Sequence, residues 1–160
     1  MDAGWSYLVT RRIRMRIEQW DRDSARDQNA RIGREKVSGV PFGGVHELDA
    51  IDLDAKVNGQ AVVPEDAHIR LASPVTNAGA RILRRSFSFT EGVDASGGLD
   101  AGLFFICYQR DPGRQFVPIQ RRLADHDALN HYITHTGSAI FACPGGMAPG
   151  EWIGGKLFET

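Results

Sequence analysis

The residues of this sequence best suited to chemistry are a histidine and a pair of arginines that follows it. His68 stands in the segment 64–72, and a basic, strand-like segment at 82–87 carries Arg84 and Arg85. A neutral imidazole can bind a metal ion, and a guanidinium can stabilise negative charge on a bound group. The sequence therefore offers a metal ligand with a cationic partner, although a lone histidine in a loop is more often a hydrogen-bonded structural residue.

These two segments resemble the dye-decolorising peroxidases, and in particular the exported, deferrochelatase-like branch of that family. The family holds its heme iron with a histidine in an Ala-His-Ile-Arg segment, matched here at 67–70, and places a distal arginine in an Ile-Leu-Arg-Arg strand, matched at 82–85. The similarity continues through 79–85, 99–112, 115–123 and 136–144. The resemblance implies heme b as cofactor, His68 as its axial and metal-binding ligand, and Arg84 as the catalytic distal cation.

Further cofactor contacts follow from the resemblance and from strand alternation. Arg70, two residues beyond the ligand, is a candidate partner for a heme propionate, and so is Arg84. Alternation in the 81–89 segment places Ser86 on the same face as Arg84. Phe105 is the predicted apolar wall, since a porphyrin requires apolar surroundings. The alternatives remain that Arg84 merely lies on an exposed strand face and that Phe105 is an ordinary core residue.

A proximal histidine needs an acceptor that fixes its second ring nitrogen. Relatives often have a carboxylate ahead of the Thr-Gly-Ser strand, where this chain has Asn130 and His131. The resemblance therefore predicts that Asn130 replaces the acidic acceptor of His68 and leaves the ligand less anionic. Alternatively, Asn130 and His131 are surface residues of a turn.

One family motif is missing from the sequence. The family carries a distal aspartate in a Gly-x-x-Asp-Gly motif on a preceding ferredoxin-like domain, whereas residues 97–101 have the spacing without the final glycine. Residues 1–160 are therefore expected to form a single C-terminal peroxidase domain with a ligand-bearing insertion at 35–80. Such a domain would be half of a dimeric α+β barrel. Residues 1–5 lack signal-peptide features, which predicts a cytoplasmic chain as written, although related full-length proteins are often exported.

Composition narrows the range of partners. The 160 residues are 42% hydrophobic and 24% charged, which suits one globular domain. A net charge of −1 gives no electrostatic reason to expect nucleic acid, and no apolar run is long enough to cross a membrane. The two cysteines are far apart within apolar runs, so buried free thiols are expected.

The order of elements predicts the fold class. Apolar residues alternate over 6–20, with Arg11 as the one break in the apolar face, and a polar, capped stretch at 21–34 favours a helix that ends near Gly33. Two strands at 81–89 and 102–110 form a hairpin, a helix covers 114–125, and a strand follows at 138–143. Strand, helix, strand, strand, helix, strand is the ferredoxin-like βαββαβ arrangement, an α+β fold with an antiparallel sheet.

The sequence thus predicts a heme b peroxidase that reduces hydrogen peroxide and oxidises an organic donor such as a dye or phenol. Its activity is expected to be weakened by the missing distal aspartate. The alternative is a truncated, non-catalytic module that binds heme or assembles with another copy or with a separate N-terminal half. In that case the exposed apolar sheet face would drive oligomerisation.

Overall fold

An antiparallel sheet with a helical layer on one side organises the molecule. The computed structural model describes residues 4–95 and 97–155. The prediction that residues 1–5 lack signal-peptide features concerns in part residues 1–3, which lie outside the described residues. In chain order the elements are β1 (Ser6–Met15), α1 (Ile17–Trp20), α2 (Ala25–Ile32), β2 (Lys56–Val57), β3 (Gln60–Ala61), α3 (His68–Leu71), β4 (Leu83–Arg84), β5 (Phe87–Val93), β6 (Leu99–Gln109), α4 (Phe116–His126) and β7 (Ile133–Cys143).

The sheet has the predicted ferredoxin-like order. β1 lies in the centre, paired with β6 on one side and β7 on the other, and both β4 and β5 pair with β6. All of these pairings are antiparallel. β4 and β5 are two parts of one edge strand, which is interrupted at Arg85 and Ser86. The predicted strand at 81–89 is therefore correctly placed but broken, and the insertion at 35–80 contains the β2–β3 hairpin and α3.

The first strand is shorter than its alternation predicts. β1 ends at Met15, and Ile17–Trp20 forms one helical turn instead of continuing the strand. The backbone N–H of Arg16 donates to the carbonyl oxygen of Tyr132 at 2.7 Å, which turns the chain away from the sheet. A period of two cannot locate such a turn, because Ile17 fits either pattern.

The predicted helix at 21–34 forms over a shorter range. Ser24 caps α2, since its hydroxyl oxygen accepts from the backbone N–H of Asp27 at 3.1 Å. The helix ends at Gly33, whose φ of +88° lies in the left-handed region. Both signals were visible in the sequence.

Gly33 ends α2 and packs against the segment that carries His68. Its replacement is expected to destabilise the fold. A Cβ there would lie 2.6 Å from Cγ1 of Ile69 and 3.2 Å from Cγ1 of Val63, which is fully buried. We expect Gly33→Ala to lower the free energy of unfolding by roughly 2–5 kcal/mol, from left-handed strain and overpacking together. Gly59→Ala is the matched control, since Gly59 has a φ of +79° and open space around it.

Urea unfolding of both variants checks this prediction. Gly59→Ala should lose only the roughly 1–2 kcal/mol of backbone strain. If the two variants lose equal stability, the contact between Gly33 and Ile69 contributes nothing.

The two faces of the sheet differ in what covers them. We call the side on which the helices pack the inner face, and the opposite side the outer face. α4 has Pro118 in its first turn and buries the side chain of Ile119, which is 5% exposed. The helix packs against α3, and α3 packs against α2. On the inner face Val9 and Cys107 are paired across β1 and β6 and are buried.

Large apolar side chains remain exposed on the outer face. The register places on it Leu83, Phe87, Phe104, Tyr108 and Phe141, which are between 39% and 72% exposed. Single, scattered hydrophobic residues are ordinary on a protein surface, whereas here five large apolar side chains are exposed on one face.

Both cysteines are free thiols. Cys107 is fully buried and Cys143 is partly exposed. Burial raises the pKa of the Cys107 thiol to about 11, so this thiol stays neutral near pH 7. Among the described residues, no helix has the length and apolarity needed to cross a bilayer.

Candidate functional site

His68 is held by a buried carboxylate. Its ring nitrogen Nδ1 lies 2.6 Å from Oδ2 of Asp127. The side chain of Asp127 is 2% exposed, whereas that of His68 keeps 26% of its surface exposed. Because a carboxylate accepts this bond, Nδ1 of the neutral ring carries the proton and Nε2 keeps its lone pair. The pair therefore fixes the tautomer and leaves Nε2 as the nitrogen that could bind a metal ion.

Local structure fixes both partners. His68 is the first residue of α3, and Asp127 ends α4. The second carboxylate oxygen of Asp127, Oδ1, accepts from the backbone N–H of Leu129 at 2.9 Å and so caps the 3-10 turn Ala128–His131. The N–H of Ala128 also donates to the carbonyl oxygen of Asp66 at 3.1 Å. The end of α4 is thereby tied to the chain that leads into the ligand.

The prediction that Asn130 replaces the acidic acceptor is wrong. The Asn130 amide nitrogen donates to the carbonyl oxygens of Leu123 at 2.8 Å and Ala124 at 3.0 Å, so it serves the last turn of α4 from an exposed position. The carboxylate is Asp127, three residues earlier. The accompanying prediction of a less anionic ligand fails with it, because His68 does bond to a carboxylate.

Arg70 is engaged by the insertion that carries it, and its predicted propionate contact stays a prediction. Its Nε donates to the carbonyl oxygens of Val63 and Pro64 at 3.1 and 3.2 Å, and its Nη2 donates to those of Leu53 and Val63, both at 2.8 Å. Its third nitrogen, Nη1, lies 3.6 Å from a carboxylate oxygen of Glu65. Arg70 is 9% exposed, and its hydrogen bonds hold the insertion against α3. The described hydrogen bonds therefore engage the guanidinium within the insertion.

The other predicted residues lie together on the inner face of the sheet. Arg84 pairs with Cys107 on β6, and Leu83 pairs with Tyr108, so Arg84 faces the helical layer as alternation predicted. The side chain of Arg84 is exposed, and among residues 4–95 and 97–155 no hydrogen bond or ion pair holds it. It is thus a cation available to a ligand placed over the sheet.

Ser86 and Phe105 occupy the next inner-face positions. Ser86 lies in the interruption between β4 and β5, opposite Phe105. The Oγ atom of Ser86 is shielded from solvent, yet no atom of the described residues is bonded to it. The ring of Phe105 lies 6.3 Å from that of Phe116, centroid to centroid, at the start of α4. Phe105 therefore forms part of the wall where the sheet meets the helical layer.

Arg11 is a site residue that the sequence analysis noted only as a break in the apolar face. It pairs with Phe105 on one side and Ser138 on the other, and its Nε donates to Oγ of Ser138 at 3.2 Å. Its guanidinium carbon lies 5.8 Å from the centroid of the Phe116 ring. Its Nη1 is shielded from solvent and has no hydrogen-bond partner within the described part of the chain. A cation on the apolar side of a strand was the available signal.

This geometry defines a class of protein: an α+β domain with a carboxylate-bound histidine in its helical layer and cations on the inner face of its sheet. The family profile described as Dyp-type peroxidase, C-terminal, matches residues 1–148. The chain therefore belongs to the Dyp-type peroxidase family and corresponds to its C-terminal part, which confirms the resemblance seen in the sequence.

Individual relatives agree with this assignment. The chain is 46% identical to the dye-decolorizing peroxidase of Thermobifida fusca (strain YX) over 99% of its own length and 37% of the relative. It is 40% identical to the deferrochelatase of Escherichia coli (strain K12), with 98% and 37% covered. The structure of ferric DtpA from Streptomyces lividans superposes with a TM-score of 0.90 at 46% identity, with 96% and 42% covered. The chain thus spans about two fifths of the length of these relatives.

Proposed function

We propose that this chain is the heme-binding part of a peroxidase, with His68 as the axial ligand of heme b and Arg84 as the distal cation. The hydrogen bond between His68 and Asp127 carries this proposal. A neutral imidazole oriented by a carboxylate is the arrangement that a metal-binding histidine requires. The relative DtpA, solved in its ferric form, supports iron as the metal.

The inner face of the sheet fits a heme. Shielded polar atoms without partners are uncommon in folded proteins, and Ser86 Oγ and Arg11 Nη1 are two of them on the inner face of this sheet. Between them stands the aromatic ring of Phe105, and beyond Arg11 the inner face of β7 is open, with Ile140 at 58% exposure. A large flat group with an apolar body and polar edges matches such a surface.

The proposed reaction reduces hydrogen peroxide to water and oxidises an organic donor such as a dye or phenol. The heme would supply the redox chemistry that cleaves the oxygen–oxygen bond. Arg84 would stabilise the negative charge that develops on the departing oxygen, because its guanidinium is unpaired and faces the same layer as His68. Asp127 would keep the proton on Nδ1 of His68 throughout.

The uncovered outer face supports a second candidate, an assembly module that binds heme without turnover. The outer face exposes Phe87 to 52%, Phe141 to 51% and Leu83 to 72%. Because the chain spans only about two fifths of its relatives, a complementary N-terminal half is the proposed cover for this face, and a second copy of the chain is the alternative cover. Either arrangement would complete an α+β barrel.

Titration of the 160-residue chain with hemin, followed by hydrogen peroxide and a phenolic donor, tests the proposed function. A saturable, histidine-type Soret band and peroxide-dependent oxidation of the donor are the expected results. Sedimentation velocity on the same samples reports whether the outer face pairs two copies.

Each outcome of the titration is informative. Saturable binding without oxidation of the donor would favour the assembly module. The absence of a saturable, histidine-type Soret band at any hemin concentration would overturn the assignment of this chain as a heme-binding unit.

A further inference from the structure

Arg11 presents an electrostatic problem that the described residues do not solve. Its guanidinium is partly buried, and desolvation lowers its pKa, although an arginine remains charged at neutral pH. No carboxylate pairs with it within residues 4–95 and 97–155. A buried cation costs folding free energy unless an anion or several hydrogen bonds compensate it. Ser138 and the face of Phe116 compensate only part of this cost.

The surroundings of Arg11 add no negative charge. Across the sheet it faces Ser138 and Phe105, and the nearby titratable groups that interact with it are His135 and Cys107. Burial lowers the pKa of His135, and the Arg11 charge lowers it further, so that imidazole stays neutral near pH 7. The thiol of Cys107 is neutral as well. Arg11 is therefore the fixed positive charge of this part of the inner face.

The contacts that anchor the guanidinium of Arg11 limit where an anion would bind. The hydrogen bond from Nε to Ser138 and the nearby Phe116 ring, 5.8 Å from the guanidinium carbon, anchor the guanidinium between β7 and the start of α4. Nη1 is thus an oriented donor, not a mobile surface group. An acceptor with negative charge, placed over the inner face beside Phe105, would satisfy it.

We propose that Arg11 binds a carboxylate over the inner face of the sheet, namely a propionate of the heme, through Nη1. This inference rests on the proposed function, since it needs heme over the inner face. It assigns the propionate contact to β1 and not to Arg70, whose guanidinium is engaged by the insertion. A charge-assisted hydrogen bond of this kind corresponds to about 10- to 100-fold in affinity.

The test compares hemin with hemin dimethyl ester, in which both propionates are neutral esters. Affinities of the wild-type chain, Arg11→Gln and Arg11→Lys are measured by Soret titration, and dissociation rates by transfer to an excess of apomyoglobin. Arg11→Gln should bind hemin about 10- to 100-fold more weakly and bind the dimethyl ester within about 2-fold of wild type. Arg11→Lys, which keeps the charge, should recover part of the loss on hemin.

Arg121→Gln is the control, because Arg121 is an exposed arginine of α4 and its loss changes the net charge equally. Equal losses of Arg11→Gln on hemin and on the ester would make Arg11 a structural residue and overturn the inference while leaving the proposed function intact. So would unchanged binding of hemin by Arg11→Gln. If the wild-type chain binds neither compound, the proposed function fails, and this inference fails with it.

Discussion

Replacement of His68 with alanine is expected to weaken heme binding by at least ~100-fold, because outer-shell partners of a metal ligand alone are worth about 10- to 100-fold in affinity. The Soret band of any heme that still binds should lose its histidine-ligated form. Added imidazole should restore that form, since the cavity left by the side chain opens beside Asp127, which is 2% exposed and remains as an acceptor. Soret titration and resonance Raman detection of the iron–histidine vibration measure both effects.

His46→Ala is the matched control for this experiment. His46 lies in the same insertion, and its side chain is exposed. This variant should bind heme as the wild-type chain does. A His68→Ala protein with an unchanged affinity and spectrum would show that another residue holds the iron.

The second large effect concerns Asp127. Asp127→Asn keeps the shape and an oxygen that can accept from Nδ1 of His68, but it removes the negative charge behind the ligand. We expect heme affinity to fall about 10- to 100-fold and the ferric–ferrous midpoint potential to rise, because a less basic histidine stabilises the ferric state less. Spectroelectrochemistry of the heme-loaded variant measures the potential.

Asp125→Asn provides the same change of charge two residues earlier, at an exposed position of α4. Its midpoint potential should match that of the wild-type chain. Asp127→Ala should additionally destabilise the fold by about 1–3 kcal/mol, because the N–H of Leu129 and the histidine both lose their acceptor. If Asp127→Asn and Asp125→Asn have the same potential, the carboxylate does not tune the ligand.

Local signals were enough to predict most of the fold. Ser24 and Gly33 mark the two ends of α2 by side-chain capping and by a left-handed φ, and both effects are encoded within a few residues. The order of strands and helices followed from periodicity. The interruption of the edge strand at Ser86 could not be predicted in this way, because it depends on how β4 and β5 each pair with β6.

The site was harder to predict, because nearness in sequence differs from nearness in space. Arg70 follows His68 by two residues, but each residue of an α-helix turns by about 100°, so the two side chains leave α3 about 200° apart. Asp127 reaches His68 from the far end of another helix, three residues before the Asn130 that the resemblance indicated. Arg84 and Phe105 were oriented correctly because alternation in a strand is a local rule.

The separation between ligand and acceptor also bears on how the chain is made. His68 and Asp127 are 59 residues apart, so at ~5–20 residues per second a ribosome needs about 3–12 s to add the acceptor after the ligand. The central strand β1 obtains its last pairing partner later still, because Ser6 pairs with Cys143. Until Asp127 has been added, therefore, His68 is an imidazole without its carboxylate, and β1 lacks its neighbour β7. The hydrogen bond that orients His68 can form only after Asp127 has been synthesised, so the proposed binding of heme by an oriented histidine would follow that step.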